Sequence, residues 1–318
     1  MNILVTGCAG FIGFHLCENL KSSKYNIIGI DNLNNYYSKK YKKKRLAILK
    51  KKKNFKFLRL DISDYKKLDK LFKKNKFDIV VNLAAQAGVR YSIKKPKEYV
   101  QSNINGFFNI IELSRIWKIK KIFYASSSSV YGEKNVFPLK ENQTTHPKNI
   151  YSFSKKSNEE MASIYSNFYK MKFIGLRFFT IYGEWGRPDM LILKYISCIQ
   201  NKKTFYLNNY GNHFRDFTYI NDAIKQMLAL LKKNFNQNHE IFNICSNRPI
   251  SLKLIIKQIN NKLGQPKLIK RKLQRADVYK THGSNLKLIK TTKIKKFTDI
   301  QIGIRNVIDW SMENKKIF

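Results

Sequence analysis

Short apolar runs alternate with amphipathic stretches through the first half of the chain. Five of these runs, each bounded by polar or glycine positions, have the length and composition of buried β-strands. They are NILVTG (2–7), NIIGID (26–31), FKFLRLD (55–61), FDIVVNLAA (77–85) and KIFYASSS (121–128). FIGFHLCENLKSS (11–23) and YKKLDKLFKK (65–74) lie between runs and carry the hydrophobic spacing of helices. This alternation predicts βαβ units and a parallel sheet that is covered on both faces.

The pattern becomes irregular from about residue 178, where the buried-strand run MKFIGLR (171–177) ends. Pro188, Pro249 and Pro266 interrupt the short segments that follow. We therefore expect an α/β architecture in which a doubly wound parallel sheet carries a smaller C-terminal substrate-binding subdomain. The expected boundaries are 1–177 for the main domain and 178–318 for the subdomain, with segments of the latter interleaved into the main sheet.

A glycine-rich turn follows the first predicted strand. GCAGFIG places Gly7, Gly10 and Gly13 in a GxxGxxG arrangement that opens a helix. Such a turn lets backbone approach a pyrophosphate and directs the helix N-terminus at its negative charge. The second strand ends at Asp31, at the spacing of an acid that accepts hydrogen bonds from the adenosine ribose. Because this carboxylate would repel a 2′-phosphate, the pattern predicts a Rossmann-type domain that binds NAD rather than NADP.

Two further strand ends have polar or small residues. Asp61 closes the third predicted strand, and one possible role for it is to cap a helix that begins near Ser63. Asn82 and the residues Leu83, Ala84 and Ala85 end the fourth strand, where small side chains leave room for a cofactor to cross the sheet edge.

A serine run and a Tyr-x-x-x-Lys motif follow. The fifth strand runs into YASSSSVYG (124–132), and YSFSK occupies 151–155. Tyr151 and Lys155 lie about one helical turn apart on one face. The ammonium group of Lys155 would stabilise the phenolate, and a bound nicotinamide would add to this, so we expect the pKa of the phenol to fall toward neutrality. In a lysine-rich chain such a pair is also common surface patterning, but the serine run and the glycine turn favour an acid–base site.

The net charge of +41 admits two interpretations. Lysine runs such as KKYKKKRLAILKKKKNFK (39–56) could neutralise nucleic-acid phosphates. However, 51 of the 62 basic residues are lysines and 11 are arginines, spread over the whole chain, and no docking element is recognisable. We therefore attribute the high lysine content to compositional drift of the whole sequence, and we expect no specific nucleic-acid partner.

Other residue classes exclude several kinds of site. Cys8, Cys17, Cys198 and Cys245 lie far apart without a CxxC spacing, so we expect reduced, structural cysteines in a cytoplasmic protein. The five histidines show no metal spacing, and no metal is expected. No apolar run approaches about 18 residues, and the start MNILVTGCAG lacks a basic leader region, so neither a membrane span nor a secretory signal is expected.

Several of these motifs together resemble one family. The chain is similar to the extended short-chain dehydrogenase/reductases that act on nucleotide sugars, and most closely to the UDP-glucuronate 4-epimerases. The resemblance covers residues 4 to about 280, and its matching pieces are TGCAGFIG, IDNLNNYY, NLAAQAGVRYS, YASSSSVYG, YSFSK, RFFTIYGEWGRPDM and RDFTYI.

The resemblance implies roles for particular residues. It implies that Ser127, Tyr151 and Lys155 are catalytic and that NAD, which stays bound, takes and returns a hydride at C4 of the sugar. Together with the glycine turn it assigns to the cofactor Gly7, Gly10, Phe11, Ile12, Gly13, Asp31, Asn32, Asp61, Ile62, Leu83, Ala84, Ala85, Tyr151, Lys155 and Phe178. It assigns to the UDP-sugar Arg90, Ser127, Ser128, Ser129, Thr180, Arg187, Arg215 and Asp277.

The sugar is expected to be a uronic acid. A 4-keto uronic acid loses CO2 readily, so its carboxylate must be held by hydroxyls and a cation. The cation could come from Arg187 or Arg90, and the hydroxyls from Ser127, Ser128, Ser129 and Thr180. The uronic-acid assignment depends most on Thr180 and Arg187 together. Related dehydratases place an Asp-Glu pair where this chain has Ser128 and Ser129, and decarboxylases commonly have Glu at the second position. An epimerase of another UDP-sugar, such as UDP-N-acetylglucosamine or its uronic acid, a decarboxylase and a nucleic-acid-binding protein stay open as alternatives.

The resemblance also concerns the nucleotide and the assembly. Arg215 would bind the phosphates and Asp277 the ribose or nearby polar groups. Arg275 and Ala276 in QRADV depart from the usual Pro-Gly, and Arg275 could add a phosphate contact. Helices near 99–117 and 151–170 are expected to form a four-helix bundle with a second copy, which gives a homodimer.

Overall fold

The computed structural model describes residues 1–274 and 277–315. They form two compact units. Unit 1 contains 1–132, 141–178 and 227–242, and unit 2 contains 133–140, 179–226 and 243–318. The assignment of cofactor and substrate to separate domains stays a prediction.

The strands and helices are numbered in chain order. The strands are β1 (Asn2–Thr6), β2 (Asn26–Asp31), β3 (Phe55–Arg59), β4 (Ile79–Asn82), β5 (Lys121–Ser127), β6 (Lys172–Phe178), β7 (Thr180–Tyr182), β8 (Phe205–Asn208), β9 (Phe214–Tyr219), β10 (His239–Ile244), β11 (Pro249–Ser251) and β12 (Leu268–Arg271). The α-helices are α1 (Phe11–Asn19), α2 (Lys39–Leu49), α3 (Tyr65–Lys74), α4 (Val89–Lys94), α5 (Pro96–Tyr99), α6 (Gly106–Ile116), α7 (Ile150–Tyr169), α8 (Leu191–Gln200), α9 (Ile220–Leu231), α10 (Leu252–Leu263), α11 (Leu286–Thr292) and α12 (Ile300–Glu313).

Unit 1 is built on a seven-stranded sheet of order β10-β6-β5-β4-β1-β2-β3. All neighbours from β6 to β3 run parallel. The chain moves outward from β1 through β2 to β3 and then returns to the other side of β1 with β4. In open α/β sheets, cofactors bind outside the carboxyl ends of the strands at such a reversal. The predicted Rossmann-type fold is confirmed, and the reversal lies beside the glycine turn.

Amphipathic helices cover this sheet. In α3 the buried side chains are Leu68, Leu71 and Phe72, whose spacing places them on one helical face. They join an apolar core with residues of α6 and of the central strands. The helix expected over 11–23 ends at Asn19, because the backbone of Leu20 is extended. The Leu20 N–H makes the last i→i−4 hydrogen bond of the helix, to the Leu16 carbonyl.

The lysine run at 39–56 is largely the helix α2. Tyr41, Leu46 and Leu49 face the interior, and most of the lysines lie toward solvent. Lys42 and Arg45 are exceptions, because both are buried. The run is therefore part of the fold as well as a charged surface.

The helical segment predicted near 99–117 has three parts. After α5, residues Val100–Asn105 form a π-helical turn, and α6 continues the segment. π-Helical turns are rare in proteins, and those that occur often lie near functional sites. Here the turn contains the buried Asn103.

Unit 2 contains two small sheets. Strand β9 pairs antiparallel with β11 and parallel with β7. Strands β8 and β12 form a separate parallel pair. Across both units, no helix in the described ranges combines the length and the apolar character that a bilayer crossing requires.

Candidate active site

The glycine turn forms a close-packed cradle between β1 and α1. Gly7 has φ +70°, and a Cβ there would lie 2.8 Å from the Ala84 nitrogen. A Cβ on Gly13 would lie 2.2 Å from the Gly7 carbonyl oxygen, so both positions exclude a side chain. Gly10 begins α1 without any side-chain cap, which leaves the first backbone N–H groups of the helix to bind an anion. The turn thus has the form of a pyrophosphate site.

Asp31 lies at the carboxyl end of β2 with 8% of its surface exposed. Its Oδ2 accepts a hydrogen bond from the Ala9 N–H at 3.2 Å, and its Oδ1 accepts one from the Leu33 N–H at 2.8 Å. Burial raises the pKa of this carboxyl, and the nearby Lys42 ammonium opposes that shift. A carboxylate oxygen can accept more than one hydrogen bond, so Asp31 retains the capacity to bind a ribose diol.

Asn32 and Asp61 form a second polar pair beside Asp31. The Asn32 side-chain amide donates to Asp61 Oδ2 at 2.7 Å, and Asp61 Oδ1 accepts from the N–H and hydroxyl of Ser63. Although burial acts to raise it, these hydrogen bonds lower the pKa of Asp61 below its usual value. Asp64, and not Asp61, caps α3, because its side chain accepts from the Lys67 N–H.

The segment after β4 is held by a residue that the sequence patterns do not single out. The Thr6 hydroxyl donates to Asn82 Oδ1 at 2.6 Å and accepts from the Ala84 N–H at 3.0 Å. These bonds fix the Leu83–Ala85 segment beside the glycine turn. Thr6 is missed because its partners lie 76 and 78 positions away in sequence.

Tyr151 and Lys155 lie in the first two turns of α7. Asn149 caps this helix, since its side chain accepts from the Ser152 N–H while the Ser152 hydroxyl accepts from the Asn149 N–H. Lys155 Nζ donates to the Ala125 carbonyl oxygen at 2.8 Å, which joins α7 to β5. Burial lowers the pKa of Lys155 to about 8.

The serine run turns sharply at the end of β5. Ser127 is its last strand residue, and Ser128–Tyr131 form a 3-10 turn. Ser127 Oγ accepts hydrogen bonds from the Ser129 N–H at 3.2 Å and from the Ser129 hydroxyl at 3.0 Å. The structure thus brings Ser127 and Ser129 together. Ser127 lies two residues beyond Ala125, whose carbonyl binds Lys155.

Phe178 and Arg90 lie elsewhere in unit 1. Phe178 ends β6 and is the register partner of Ser127, which places it at the same carboxyl edge of the sheet. Arg90 lies exposed on α4, after Gly88 with φ +100°.

Asn103 connects the segment after β4 to helix α7. Its Oδ1 accepts from the Gln86 N–H at 2.7 Å, and its Nδ2 donates to the Gln86 carbonyl at 3.0 Å and to Ser154 Oγ at 3.0 Å. Ser154 Oγ in turn donates to the Tyr151 carbonyl at 2.8 Å. The Tyr99 ring packs edge-on against that of Tyr151, with centroids 6.1 Å apart.

Thr180 and Arg187 belong to unit 2. Thr180 begins β7, is half-buried and pairs with Phe217. The Arg187 guanidinium binds the Asp189 carboxylate through Nε at 3.1 Å and Nη2 at 2.5 Å. In this structure the Arg187 guanidinium is thus paired with a carboxylate two residues away through two parallel hydrogen bonds.

Arg215, His213 and Asp277 form a cluster in unit 2. Arg215 donates to the backbone carbonyls of Phe214, Val278 and Tyr279 at 2.7 to 3.0 Å. His213 Nε2 lies 4.0 Å from Asp277 Oδ2. Burial and the nearby Arg215 lower the pKa of His213. The structure therefore brings two predicted nucleotide residues together and adds a histidine that the sequence analysis does not include among the site residues.

Two other sequence expectations concern Arg275 and metals. Arg275 lies outside the described residues. Within 1–274 and 277–315, no group of three or more His, Cys, Asp or Glu side chains is arranged to hold a metal ion.

Comparison with known proteins gives a consistent family. A model of the NAD dependent epimerase/dehydratase family matches residues 3–245. Protein CapI of Staphylococcus aureus is 41% identical over 99% of this chain and 100% of its own length. UDP-glucuronate 4-epimerase 4 of Arabidopsis thaliana is 37% identical over 98% of this chain and 75% of its own length. The crystal structure of UDP-glucuronic acid 4-epimerase from Bacillus cereus with UDP-glucuronic acid and NAD matches with a TM-score of 0.93 and 31% identity, over 99% of this chain and 100% of that one.

Proposed function

Because the chain belongs to the NAD dependent epimerase/dehydratase family, we propose that it is an NAD-dependent 4-epimerase of a UDP-uronic acid, which interconverts UDP-glucuronate and UDP-galacturonate. The observation that carries this proposal is the arrangement at the end of β5. Lys155, one turn after Tyr151 on α7, binds β5 two residues before a cluster of hydroxyls. The relatives named UDP-glucuronate 4-epimerase support the same sugar.

NAD fits the residues that unit 1 presents. The pyrophosphate would lie on the glycine turn. This turn is packed so closely that backbone atoms already occupy the space that a Cβ would need at Gly7 and Gly13, so only glycine fits at these two positions. Asp31, held by two backbone N–H groups, would bind the adenosine ribose. When bound, NAD would accept a hydride from C4 of the sugar and return it to the opposite face of the ring.

Three side chains would handle the proton. Tyr151, as phenolate, would take the proton from the sugar 4-hydroxyl, and the buried Lys155 ammonium favours the phenolate form electrostatically. Ser127 would hydrogen-bond the same sugar oxygen through its hydroxyl hydrogen, because its oxygen already accepts two bonds from Ser129. The proton returns from Tyr151 to the sugar oxygen when the ketone is reduced.

The serines also distinguish this reaction from elimination. Ser128 and Ser129 occupy the positions where the resemblance gives a dehydratase its acid and base, and a hydroxyl cannot supply a carboxyl group's proton transfer at neutral pH. We propose that Thr180 and Arg187 bind the C6 carboxylate. Holding that group by hydrogen bonds would keep its C–C bond out of line with the ketone π system and so prevent loss of CO2.

Incubation of the purified protein with UDP-glucuronate, followed by NMR of the sugar, tests the proposal. UDP-galacturonate as the product supports it, and a UDP-pentose would indicate decarboxylation instead. Absence of turnover alongside rapid epimerisation of UDP-N-acetylglucosamine would overturn the assignment of the sugar. Tyr151→Phe should abolish turnover while the protein keeps its bound NAD, and substantial activity in this variant would remove Tyr151 from its role.

A homodimer through α6 and α7 is part of the proposal. On α7 the apolar residues Ile150, Phe153, Ile164 and Phe168 are 39% to 78% exposed and lie within one helical stripe. On α6, Phe108 and Ile116 are each 43% exposed. Neighbouring apolar stripes of this kind are typical of a protein–protein interface, and two helices from each copy would form a four-helix bundle.

We further propose a cytoplasmic enzyme whose product supplies polysaccharide synthesis. The four cysteines support this compartment, because all of them are free and buried.

A further inference from the structure

A buried polar network joins three elements directly behind the serine cluster. Ser126, which precedes Ser127 in β5, donates its hydroxyl hydrogen to Glu159 Oε1 at 2.6 Å. Glu159 lies on α7, one turn after Lys155, and is only 2% exposed. Arg177 of β6 binds both oxygens of this carboxylate, through Nε and Nη2, each at 2.8 Å.

Arg177 extends the network under the serine turn. It is the register partner of Ser126 in the parallel β5–β6 pair and is 3% exposed. Its guanidinium carbon lies 4.7 Å from the centre of the Tyr131 ring, at the end of the 3-10 turn that follows Ser127. Its Nη1 donates to the Glu141 carbonyl at 3.1 Å. One ion pair therefore contacts the strand before Ser127 and the turn after it.

Stability does not explain why such a pair is kept in the interior. Removing two charges from water carries a large desolvation cost, and apolar replacements of buried ion pairs are often neutral or stabilising. A bidentate pair does, however, fix relative positions closely, because both hydrogen bonds require one plane and one separation. Catalytic groups need such fixed positions, and a displacement of about 1 Å can reduce a rate by about 100-fold.

We propose that Glu159, held by Arg177 and bonded to Ser126, is a positioning residue that sets Ser127 relative to Tyr151 and Lys155. Helix α7 binds β5 at two successive residues: Lys155 binds the Ala125 carbonyl, and Glu159 binds the Ser126 hydroxyl. Tyr151, Lys155 and Glu159 are spaced four residues apart on one helical face. The same face of α7 thus carries the acid–base pair and the Glu159 carboxylate, which fixes the position of β5 against this helix. This inference rests on the proposed catalytic role of Ser127.

Ser126→Ala is the decisive variant. It removes one hydrogen bond and leaves the Glu159–Arg177 pair intact, whereas Glu159→Gln would leave Arg177 as an unbalanced buried charge and could unfold the protein. Ser166→Ala is the matched control, because Ser166, although it lies on α7, is likewise buried and its hydroxyl donates to the Ser163 carbonyl of the same helix at 2.7 Å. Ser126→Thr keeps the hydroxyl and serves as the rescue.

We expect kcat of Ser126→Ala to fall about 10- to 100-fold, with KM for the UDP-sugar and Tm equal to those of Ser166→Ala. Ser126→Thr should recover most of the rate. A kcat for Ser126→Ala within about twofold of the Ser166→Ala value, or a loss fully matched by a lower Tm, would overturn the inference.

The wild-type rate separates this inference from the proposed function. The variants are compared on whichever UDP-sugar the wild-type holoenzyme converts, so a wrong sugar appears in the wild type and a wrong positioning role appears only in the ratio of variants. Amide hydrogen exchange over 126–131 gives a readout without substrate. Faster exchange in Ser126→Ala than in Ser166→Ala supports the inference, and equal exchange contradicts it.

Discussion

Lys155 keeps an ammonium group in the buried interior of unit 1, and that burial is the physical cause of its pKa of about 8. The folded-state pKa lies below the ordinary value of 10.5, so the unfolded chain binds more protons than the folded protein between these two values. The free energy of unfolding contributed by this group therefore rises as the pH rises from about 8 to 10.5, and at neutral pH the buried charge is a cost. A cost of this kind is expected at a functional residue, where charge is needed in a fixed place.

Lys155→Met should lower kcat at least about 100-fold at neutral pH, because the phenolate of Tyr151 loses the cation that lies one helical turn away on α7. Activity should partly return as the pH is raised toward 10, where a phenol ionises without help. The measurement is kcat against pH for wild type and variant. Lys156→Met is the control, since the Lys156 side chain is 31% exposed and its ammonium pairs with the Glu160 carboxylate. A variant profile parallel to that of the wild type would contradict the electrostatic role.

Arg187→Met should reduce kcat/KM for UDP-glucuronate about 10- to 100-fold, the range for hydrogen bonds to a charged group. UDP-glucose, which has no carboxylate, should lose much less, so the ratio of the two kcat/KM values is the measurement. The exposed Arg305 of α12 provides a matched control, because Arg305→Met removes the same charge elsewhere on unit 2. Equal losses on both sugars would contradict a carboxylate-binding role for Arg187.

Whole elements were predictable where their signal is local. The first five strands, the glycine turn and the Tyr151–Lys155 spacing each lie within one element or one loop, so the periodicity of the sequence reveals them. The supporting network could not be predicted in this way. Ser126 and Glu159 are 33 positions apart, and Thr6 and Asn82 are 76 apart, so only the order of the strands brings them together. The π-helical turn at Val100–Asn105 likewise has no periodic signature of its own.

The segment between β2 and α2 contacts residues that follow β4, far away in the sequence. The Asn34 amide donates to Gln86 Oε1 at 3.3 Å, and the Tyr36 ring packs against that of Tyr91 with centroids 4.9 Å apart. Both partners lie in the loop and short helix after β4, on either side of Arg90. The segment therefore braces the part of unit 1 that carries a predicted substrate residue.

Tyr36→Ala should loosen that loop. An aromatic pair contributes about 0.5–1.5 kcal/mol beyond its buried area, so amide exchange over 86–92 should accelerate about two- to tenfold. Exchange in the buried core of α7 should not change. Tyr65→Ala, on the 40% exposed tyrosine that begins α3, is the control for loss of a surface ring. Unchanged exchange over 86–92 would show that the loop is held without Tyr36.

At the scale of the whole molecule, the charge of +41 and the apolar stripe of α7 act in opposite directions on self-association. Two copies with the same large charge repel each other, and the repulsion is screened within about 8 Å at physiological salt. The stripe formed by Ile150, Phe153, Ile164 and Phe168 favours association through burial of apolar surface. Dimerisation should therefore be stronger at 0.15 M salt, on the order of physiological strength, than at low salt.

Phe168→Asp combined with Ile164→Asp should convert the proposed dimer into a monomer, because each charge would be buried without a partner at the interface. Light scattering after size exclusion at physiological salt should give twice 37.6 kDa for the wild type and 37.6 kDa for the variant. Ile302→Asp is the matched control, since Ile302 is equally exposed, at 52%, but lies on α12 in unit 2. A wild type that elutes at 37.6 kDa at micromolar concentration would refute the dimer, and a control that also dissociates would place the interface elsewhere.

Since α7 carries Tyr151 and Lys155 as well as the stripe, loss of the dimer should also lower kcat, and the double variant tests whether the bundle stabilises the catalytic helix.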